Sequence, residues 1–124
     1  LQGRGGAAPR TSTVIGEIVF TGRAFYDFEA KYLGAAGVEL ELPAKVTEAE
    51  FAAIRDAAVL AFEAAQLAGL ARIDFFLTAD GPVLNEINTL PGFTPVSMYP
   101  RLWEESGLSY TDLITELIEL ALER

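Results

Sequence analysis

The residues from Arg72 to Met98 constrain the fold more than any other stretch. Arg72-Ile73-Asp74-Phe75-Phe76-Leu77 runs into a turn at Ala79-Asp80-Gly81-Pro82. Asn85-Glu86-Ile87-Asn88 follows, then Thr89-Leu90-Pro91-Gly92-Phe93-Thr94-Pro95-Val96-Ser97-Met98. An Asp-Gly pair between apolar runs predicts a β-hairpin, and the downstream Pro and Gly predict a loop leading to a helix start. Side chains alternate along a strand, so Arg72 and Asp74 share one face while Ile73, Phe75 and Leu77 take the other. Folding about Asp80-Gly81 brings Asp74 near Glu86 and Arg72 near Asn88, give or take one residue of register. Two carboxylates, an amide and a guanidinium then crowd one face. Such crowding is costly unless something cationic sits between the carboxylates.

The chain has 124 residues, enough for one domain or one lobe of a larger one, and 51% of them are hydrophobic, which predicts a packed core. No apolar run approaches the 18 or so residues of a membrane span. Cysteine is absent, which removes disulfides and thiolate metal sites and fits a reducing compartment. Histidine is absent too, which excludes imidazole general-base catalysis and the usual zinc sites within this chain. Any metal held here is a hard cation on oxygen ligands: Mg²⁺, Mn²⁺ or Ca²⁺. The net charge of −9 argues against a nucleic-acid partner, though not against a nucleotide arriving with divalent cations.

Residues 1–13 are expected to form a loop or frayed end, since Leu1 to Arg10 is rich in Gly, Ala and Arg without periodicity. The start lacks an initiator Met and a hydrophobic signal core, which suggests a cropped piece of a longer protein. Residues 14–124 then make one unit. Val14 to Phe20 predicts a strand. Phe25-Tyr26-Asp27-Phe28-Glu29-Ala30-Lys31-Tyr32 follows no period; it either closes as a lid over a ligand or packs a long connection. Thr47-Glu48-Ala49-Glu50 has capping-box spacing and opens a helix. Phe51, Ile54, Ala58, Phe62 and Ala65 mark its buried face, and Gly69 is expected to stop it. A short helix from Met98 to Ser106, capped by Ser97 or Tyr99, is expected to end at Gly107. Ser109-Tyr110-Thr111-Asp112 opens a last helix, whose Leu113, Leu117 and Leu120 beside Ile114, Ile118 and Ala121 form a wide apolar stripe.

A carboxylate pair with an amide oxygen suits two adjacent Mg²⁺ ions, one carboxylate bridging, with waters and nucleotide phosphates completing the octahedra. Against this stands the plainer reading that Asp74 and Glu86 are solvent-facing charges on paired strands, and a second in which calcium binds structurally. Arg72 beside Asp74 suits a phosphoryl group or a substrate carboxylate. Gly92, without a side chain, lets a backbone N–H approach an oxyanion. Ser97 at a helix start offers a hydroxyl and unpaired N–H groups to a carboxylate.

Three motifs carry a resemblance: Phe25 to Tyr32; Arg72-Ile73-Asp74-Phe75-Phe76; and Glu86-Ile87-Asn88-Thr89-Leu90-Pro91-Gly92-Phe93-Thr94 with Ser97-Met98-Tyr99-Pro100. Together they resemble D-alanine–D-alanine ligases of the ATP-grasp superfamily, over roughly Val14 to the C-terminus. Glu86-x-Asn88 alone points only to ATP-grasp; the Pro91-Gly92-Phe93-Thr94 extension and the Phe-Tyr-Asp stretch narrow it. The resemblance implies an α+β fold, the C-terminal lobe of an ATP-grasp domain, with a mostly antiparallel β-sheet and helices packed on it. It implies that ATP phosphorylates one D-alanine and the amine of a second attacks the acyl phosphate, in the bacterial cytoplasm, for peptidoglycan.

The same resemblance assigns roles. Asp74, Glu86 and Asn88 would hold two Mg²⁺ or Mn²⁺ ions, with Glu86 bridging. Arg72 would bind the reacting carboxylate and phosphate, the Gly92 N–H would serve the oxyanion, and Ser97 would bind the second D-alanine. Lys31 would neutralise phosphate and Tyr32 would close the lid, a Lys-Tyr pair that favours an amine acceptor over D-lactate. Phe25 and Phe76 would flank adenine, with Asn85 also on the nucleotide side. A homodimer is expected on the same ground. The N-terminal and central domains of such a ligase, with their phosphate-binding lysines, have no counterpart in this sequence, so the chain alone is expected to be inactive. A ligase for D-alanine and D-serine, a non-catalytic nucleotide- or Mg²⁺-binding remnant, and a purely structural α+β domain are the alternatives.

Overall fold

The computed structural model describes residues 1–3, 9–20 and 38–123. The stretch from 21 to 37, which carries Phe25, Lys31 and Tyr32, lies outside them, so the expected lid does too. The described residues form an α+β fold of short antiparallel ladders and three helices. In chain order the strands are β1 (Gln2–Gly3), β2 (Glu17–Phe20), β3 (Val38–Glu41), β4 (Gly69–Leu70), β5 (Arg72–Thr78) and β6 (Gly81–Asn88). The helices are α1 (Glu48–Ala64), α2 (Met98–Glu105) and α3 (Tyr110–Leu122). Among the described residues the strands do not merge into one sheet. They pair as β1 with β4, β2 with β3 and β5 with β6, all antiparallel.

Helix α1 starts where the capping box predicts: the Glu50 N–H donates to Thr47 Oγ1 at 3.1 Å and the Thr47 N–H to Glu50 Oε1 at 2.9 Å. It stops five residues before Gly69, however. Gln66 adopts φ +55, its N–H donates to the Glu63 carbonyl, and the Leu67 N–H donates to the Phe62 carbonyl. Those two bonds are a Schellman closure on a non-glycine residue, which frees Gly69 to open β4. Of the expected buried face, Ala58 and Phe62 are buried, Phe51 and Ile54 half-buried, and Ala65 exposed beyond the helix end. The strand expected from Val14 begins only at Glu17.

The second expectation to give way is the frayed end. Leu1 to Gly3 are held in place: Gln2 lies opposite Leu70 and Gly3 opposite Gly69, and the Ala71 N–H donates to the Leu1 carbonyl at 3.0 Å. Gln2 also exchanges both backbone bonds with Arg10. Its buried side chain donates to Glu116 Oε2 at 2.6 Å, and the Tyr99 hydroxyl donates to the Leu1 carbonyl at 3.0 Å. Composition alone misreads this segment because its backbone is satisfied largely by β4, Ala71 and the Tyr99 hydroxyl, some 70 and 100 residues away, and its buried Gln2 side chain by Glu116 on α3.

The core lies where α2 meets α3. Tyr99, Trp103 and Leu113 are buried together, with Leu70, Phe93, Leu108 and Leu117 packed against them. Gly107 at φ +93 turns the chain between the helices; its N–H donates to the Glu104 carbonyl and the Leu108 N–H to the Trp103 carbonyl. The apolar stripe of α3 is narrower in place than its sequence suggests, since Ile114 and Ile118 stay exposed. Gly16 sits against this core from the other side. A Cβ there would lie 2.5 Å from Met98 Sδ and 3.3 Å from Leu102 Cδ2, and Met98 is itself buried. Gly16→Ala is therefore expected to destabilise the protein by about 1–3 kcal/mol through overpacking, read as a lower urea midpoint at unchanged slope.

Candidate functional site

Strand β5 meets β6 through a two-residue turn, Ala79-Asp80, one residue earlier than Asp80-Gly81, with Thr78 opposite Gly81. Gly81 takes φ +114, and Thr78 Oγ1 ties the turn by accepting the Asp80 N–H and donating to the Gly81 carbonyl. From that turn an unbroken ladder would place Asp74 opposite Asn85, and Glu86 and Asn88 on the face away from Asp74. The ladder is broken. Between Asp74 and Phe75 the register shifts, so Phe75 pairs with Leu84 but Asp74 pairs with Glu86, leaving Asn85 as the bulged residue. Beyond the bulge Ile73 pairs with Ile87 and Arg72 with Asn88.

One face of the hairpin consequently carries Arg72, Asp74 and Phe76 from β5 with Asn88, Glu86 and Val83 from β6. Arg72 grips Asp74 bidentately, Nε to Oδ1 and Nη2 to Oδ2, both at 3.0 Å. Its Nη2 also stands 3.6 Å from Glu86 Oε1. The Arg72 side chain is only 12% exposed and that of Asp74 18%, so water screens this pair weakly. The cation that relieves the carboxylate pair is thus the chain's own guanidinium, and Nη1 remains outside these contacts. The Asn88 Oδ1 accepts the Leu90 N–H at 3.0 Å, which holds the amide oxygen at the start of the following loop.

Can these residues take a divalent cation? The Asp74 oxygens engaged by Arg72 each keep a second lone pair, as does the Asn88 amide oxygen engaged by Leu90. Two carboxylates and an amide oxygen on directly paired positions are the donors that hard cations select. Among the described residues no group of three or more His, Cys, Asp or Glu gathers, so an ion held by these side chains would keep coordination positions open to waters or phosphate oxygens. The donor set fits on those terms.

Of the other expected site residues, Gly92 and Ser97 come together. Pro91 is buried and Gly92 exposed, and a Cβ on Gly92 would lie 3.2 Å from Ser97 Oγ. Ser97 is the N-cap residue of α2, yet its hydroxyl makes no capping bond to the helix. It accepts the Thr94 N–H at 3.0 Å and lies 2.8 Å from Thr94 Oγ1. The Met98 and Tyr99 N–H groups of the first turn are therefore left without a side-chain cap, and Pro100 has no N–H to offer. Phe76 is on the polar face and 59% exposed, while Asn85 is exposed at the bulge. Phe25, Lys31 and Tyr32 lie outside the described residues.

The motif reading missed two residues that shape this loop. Thr94 holds the Ser97 hydroxyl, and Tyr110, on α3, donates its hydroxyl to the Phe93 carbonyl at 2.5 Å. The first had a local signal, a Thr three residues before a Ser at a helix start. The second had none, since Tyr110 stands seventeen positions from Phe93 and meets it only through packing.

Comparison with known proteins gives the family of the chain. Residues 6–119 match the family described as D-ala D-ala ligase C-terminus. The D-alanine–D-alanine ligase of Oceanobacillus iheyensis is 57% identical over 114 residues, covering 91% of this chain and 31% of that protein. The solved structure of D-alanyl-alanine synthetase A from Vibrio cholerae superposes with a TM-score of 0.70 at 35% identity, over 88% of this chain and 33% of the other. A Bacillus anthracis D-alanine–D-alanine ligase complexed with ATP gives a TM-score of 0.70 at 27% identity, over 87% of this chain and 35% of the other. The chain spans about a third of the length of the curated relatives it matches. With the match extending over nearly all of its length, the chain belongs to the family of D-alanine–D-alanine ligase C-terminal domains.

Proposed function

We propose that this chain forms the C-terminal part of an ATP-dependent D-alanine–D-alanine ligase and supplies the metal-binding and acyl-phosphate side of its active site. The observation that carries the reading is the bulge at Asn85, which sets Arg72, Asp74, Glu86 and Asn88 on a single face. Asp74, Glu86 and Asn88 would hold Mg²⁺ or Mn²⁺, whose charge, when bound, offsets that of the transferring phosphoryl group. Arg72 orients Asp74 with Nε and Nη2 and keeps Nη1 for an oxygen of the phosphorylated D-alanine carboxylate. When the second D-alanine's amine attacks the acyl phosphate, negative charge grows on the former carbonyl oxygen. The Gly92 N–H is the donor aimed at that charge.

Ser97 and the uncapped first turn of α2 bind the second D-alanine by its carboxylate, where the helix dipole favours an anion. Phe76 offers an exposed ring on the same face for the adenine of ATP, and Asn85 lies beside it on the adjoining strand. Lys31, Tyr32 and Phe25 complete the phosphate, lid and adenine contacts in this reading. The protein works in the bacterial cytoplasm as a homodimer, together with a nucleotide-binding lobe supplied by the remainder of the ligase chain.

The test is ATP-dependent phosphate release by the full-length protein with D-alanine and Mg²⁺, using D-serine as a competing acceptor. Release that requires D-alanine, and a dipeptide product of two D-alanines, is the expected result; residues 1–124 alone are expected to release none. A full-length protein that hydrolyses or binds ATP without forming a dipeptide would return the chain to the remnant reading.

A further inference from the structure

Tyr110 is half-buried at the first position of α3, far from the hairpin in sequence, and the ligase chemistry makes no use of it. Its position is held from several sides. The Schellman closure at Gly107 buries Leu108 against Trp103, and Ser109 caps α3 by accepting the Asp112 N–H at 3.2 Å. From that fixed point the Tyr110 hydroxyl donates to the Phe93 carbonyl at 2.5 Å. The Phe93 ring packs 5.6 Å from the Tyr110 ring and 5.8 Å from the Tyr99 ring, centroid to centroid. Phe93 is thus wedged by its side chain into the core and tethered by its carbonyl to α3. On the other side of Gly92, Pro91 is buried.

We infer that Tyr110 is a positioning residue for the Pro91-Gly92-Phe93 loop, fixing the direction of the Gly92 N–H and the approach of Gly92 to Ser97. The inference rests on the ligase reading above. Glycine has no side chain with which to hold its own peptide plane, so an oxyanion donor at Gly92 depends on its neighbours for orientation. Pro91 offers no N–H for tethering, and the Thr94 N–H is already given to Ser97. The Phe93 carbonyl is the acceptor through which α3 holds the segment, and a hydroxyl on a capped helix is a rigid donor for it. Reacting groups displaced by an ångström lose rate steeply, so holding this segment is worth a measurable factor in turnover.

Tyr110→Phe tests the inference, because it keeps the ring beside Phe93 and removes only the hydroxyl. Two quantities are read on the full-length protein: amide hydrogen exchange of the peptide spanning residues 90–97, and steady-state kinetics with ATP and D-alanine. The expected result is faster exchange confined to that peptide, a kcat lowered about tenfold and an unchanged KM for ATP, since none of the nucleotide contacts proposed above lies on the Pro91-Gly92-Phe93 loop. Unchanged exchange, an unchanged kcat, or a loss accompanied by a raised KM for ATP overturns the inference. A Tyr110-bearing parent that shows no turnover overturns the ligase reading itself and takes the inference with it. That result differs from a variant that matches an active parent.

Discussion

Glu86→Gln is expected to lower turnover of the full-length protein by about 10²–10³-fold while leaving its unfolding midpoint nearly unchanged. The substitution preserves shape and removes one charge. Glu86 stands 3.6 Å from Arg72 Nη2, a looser contact than the paired 3.0 Å bonds of Arg72 to Asp74, so the guanidinium keeps its principal partner. The Glu86 side chain is 34% exposed, and an ion pair open to water to that degree contributes little to folding. Its proposed role in turnover is different, because a carboxylate placed between bound cations would supply negative charge that an amide does not. Activity and stability should therefore separate cleanly. The measurement is phosphate release against Mg²⁺ or Mn²⁺ concentration, beside a thermal melt of the same preparation. Normal turnover in Glu86→Gln would remove the metal-bridging role, whatever the family resemblance.

The second large effect falls on folding. Trp103→Ala is expected to cost about 3–5 kcal/mol, the range for deleting a buried aromatic side chain. Trp103 is 2% exposed and lies between Tyr99, at 6.5 Å between ring centroids, and the Leu113 side of α3. Arg10 stacks over its ring at 5.0 Å and reaches on to Glu116 at 3.1 Å, so the indole also anchors the paired N-terminal segment. Losing it empties the centre of the core and loosens that segment in a single step. Domains of this size are stable by only about 5–15 kcal/mol in total, so the loss is a large share. Urea denaturation followed by circular dichroism reads it. A midpoint equal to that of the parent would mean that the α2–α3 core is not where the fold is held.

The α1 start, the α2 stop at Gly107 and the α3 start at Ser109 were all legible from local chemistry. Each depends on atoms within a few residues: Thr47 with Glu50, Gly107 with Glu104, Ser109 with Asp112. The end of α1 was not legible, because a left-handed Gln66 is carried by backbone bonds that no sequence preference announces. The pairing of Leu1 to Gly3 was hidden for a related reason. Its partners are Gly69 to Ala71, and nothing local reports a contact across that much chain.

At the hairpin the division is sharpest. The order of residue types determined by itself that one strand would carry an Arg and an Asp on a common face, and the other a Glu and an Asn. It also determined that a turn would lie between them. Whether the two polar pairs met was left to the tertiary structure, since a shift of one residue turns every side chain of a strand to the opposite face. The Ala79-Asp80 turn taken alone would have separated them; the bulge at Asn85 returns Glu86 to Asp74 and Asn88 to Arg72. Alternation along a strand is a property of the backbone and can be read from sequence. Register between strands, and the hold of Tyr110 on the Gly92 loop, come from packing between distant parts of the chain, and only the folded molecule decides them.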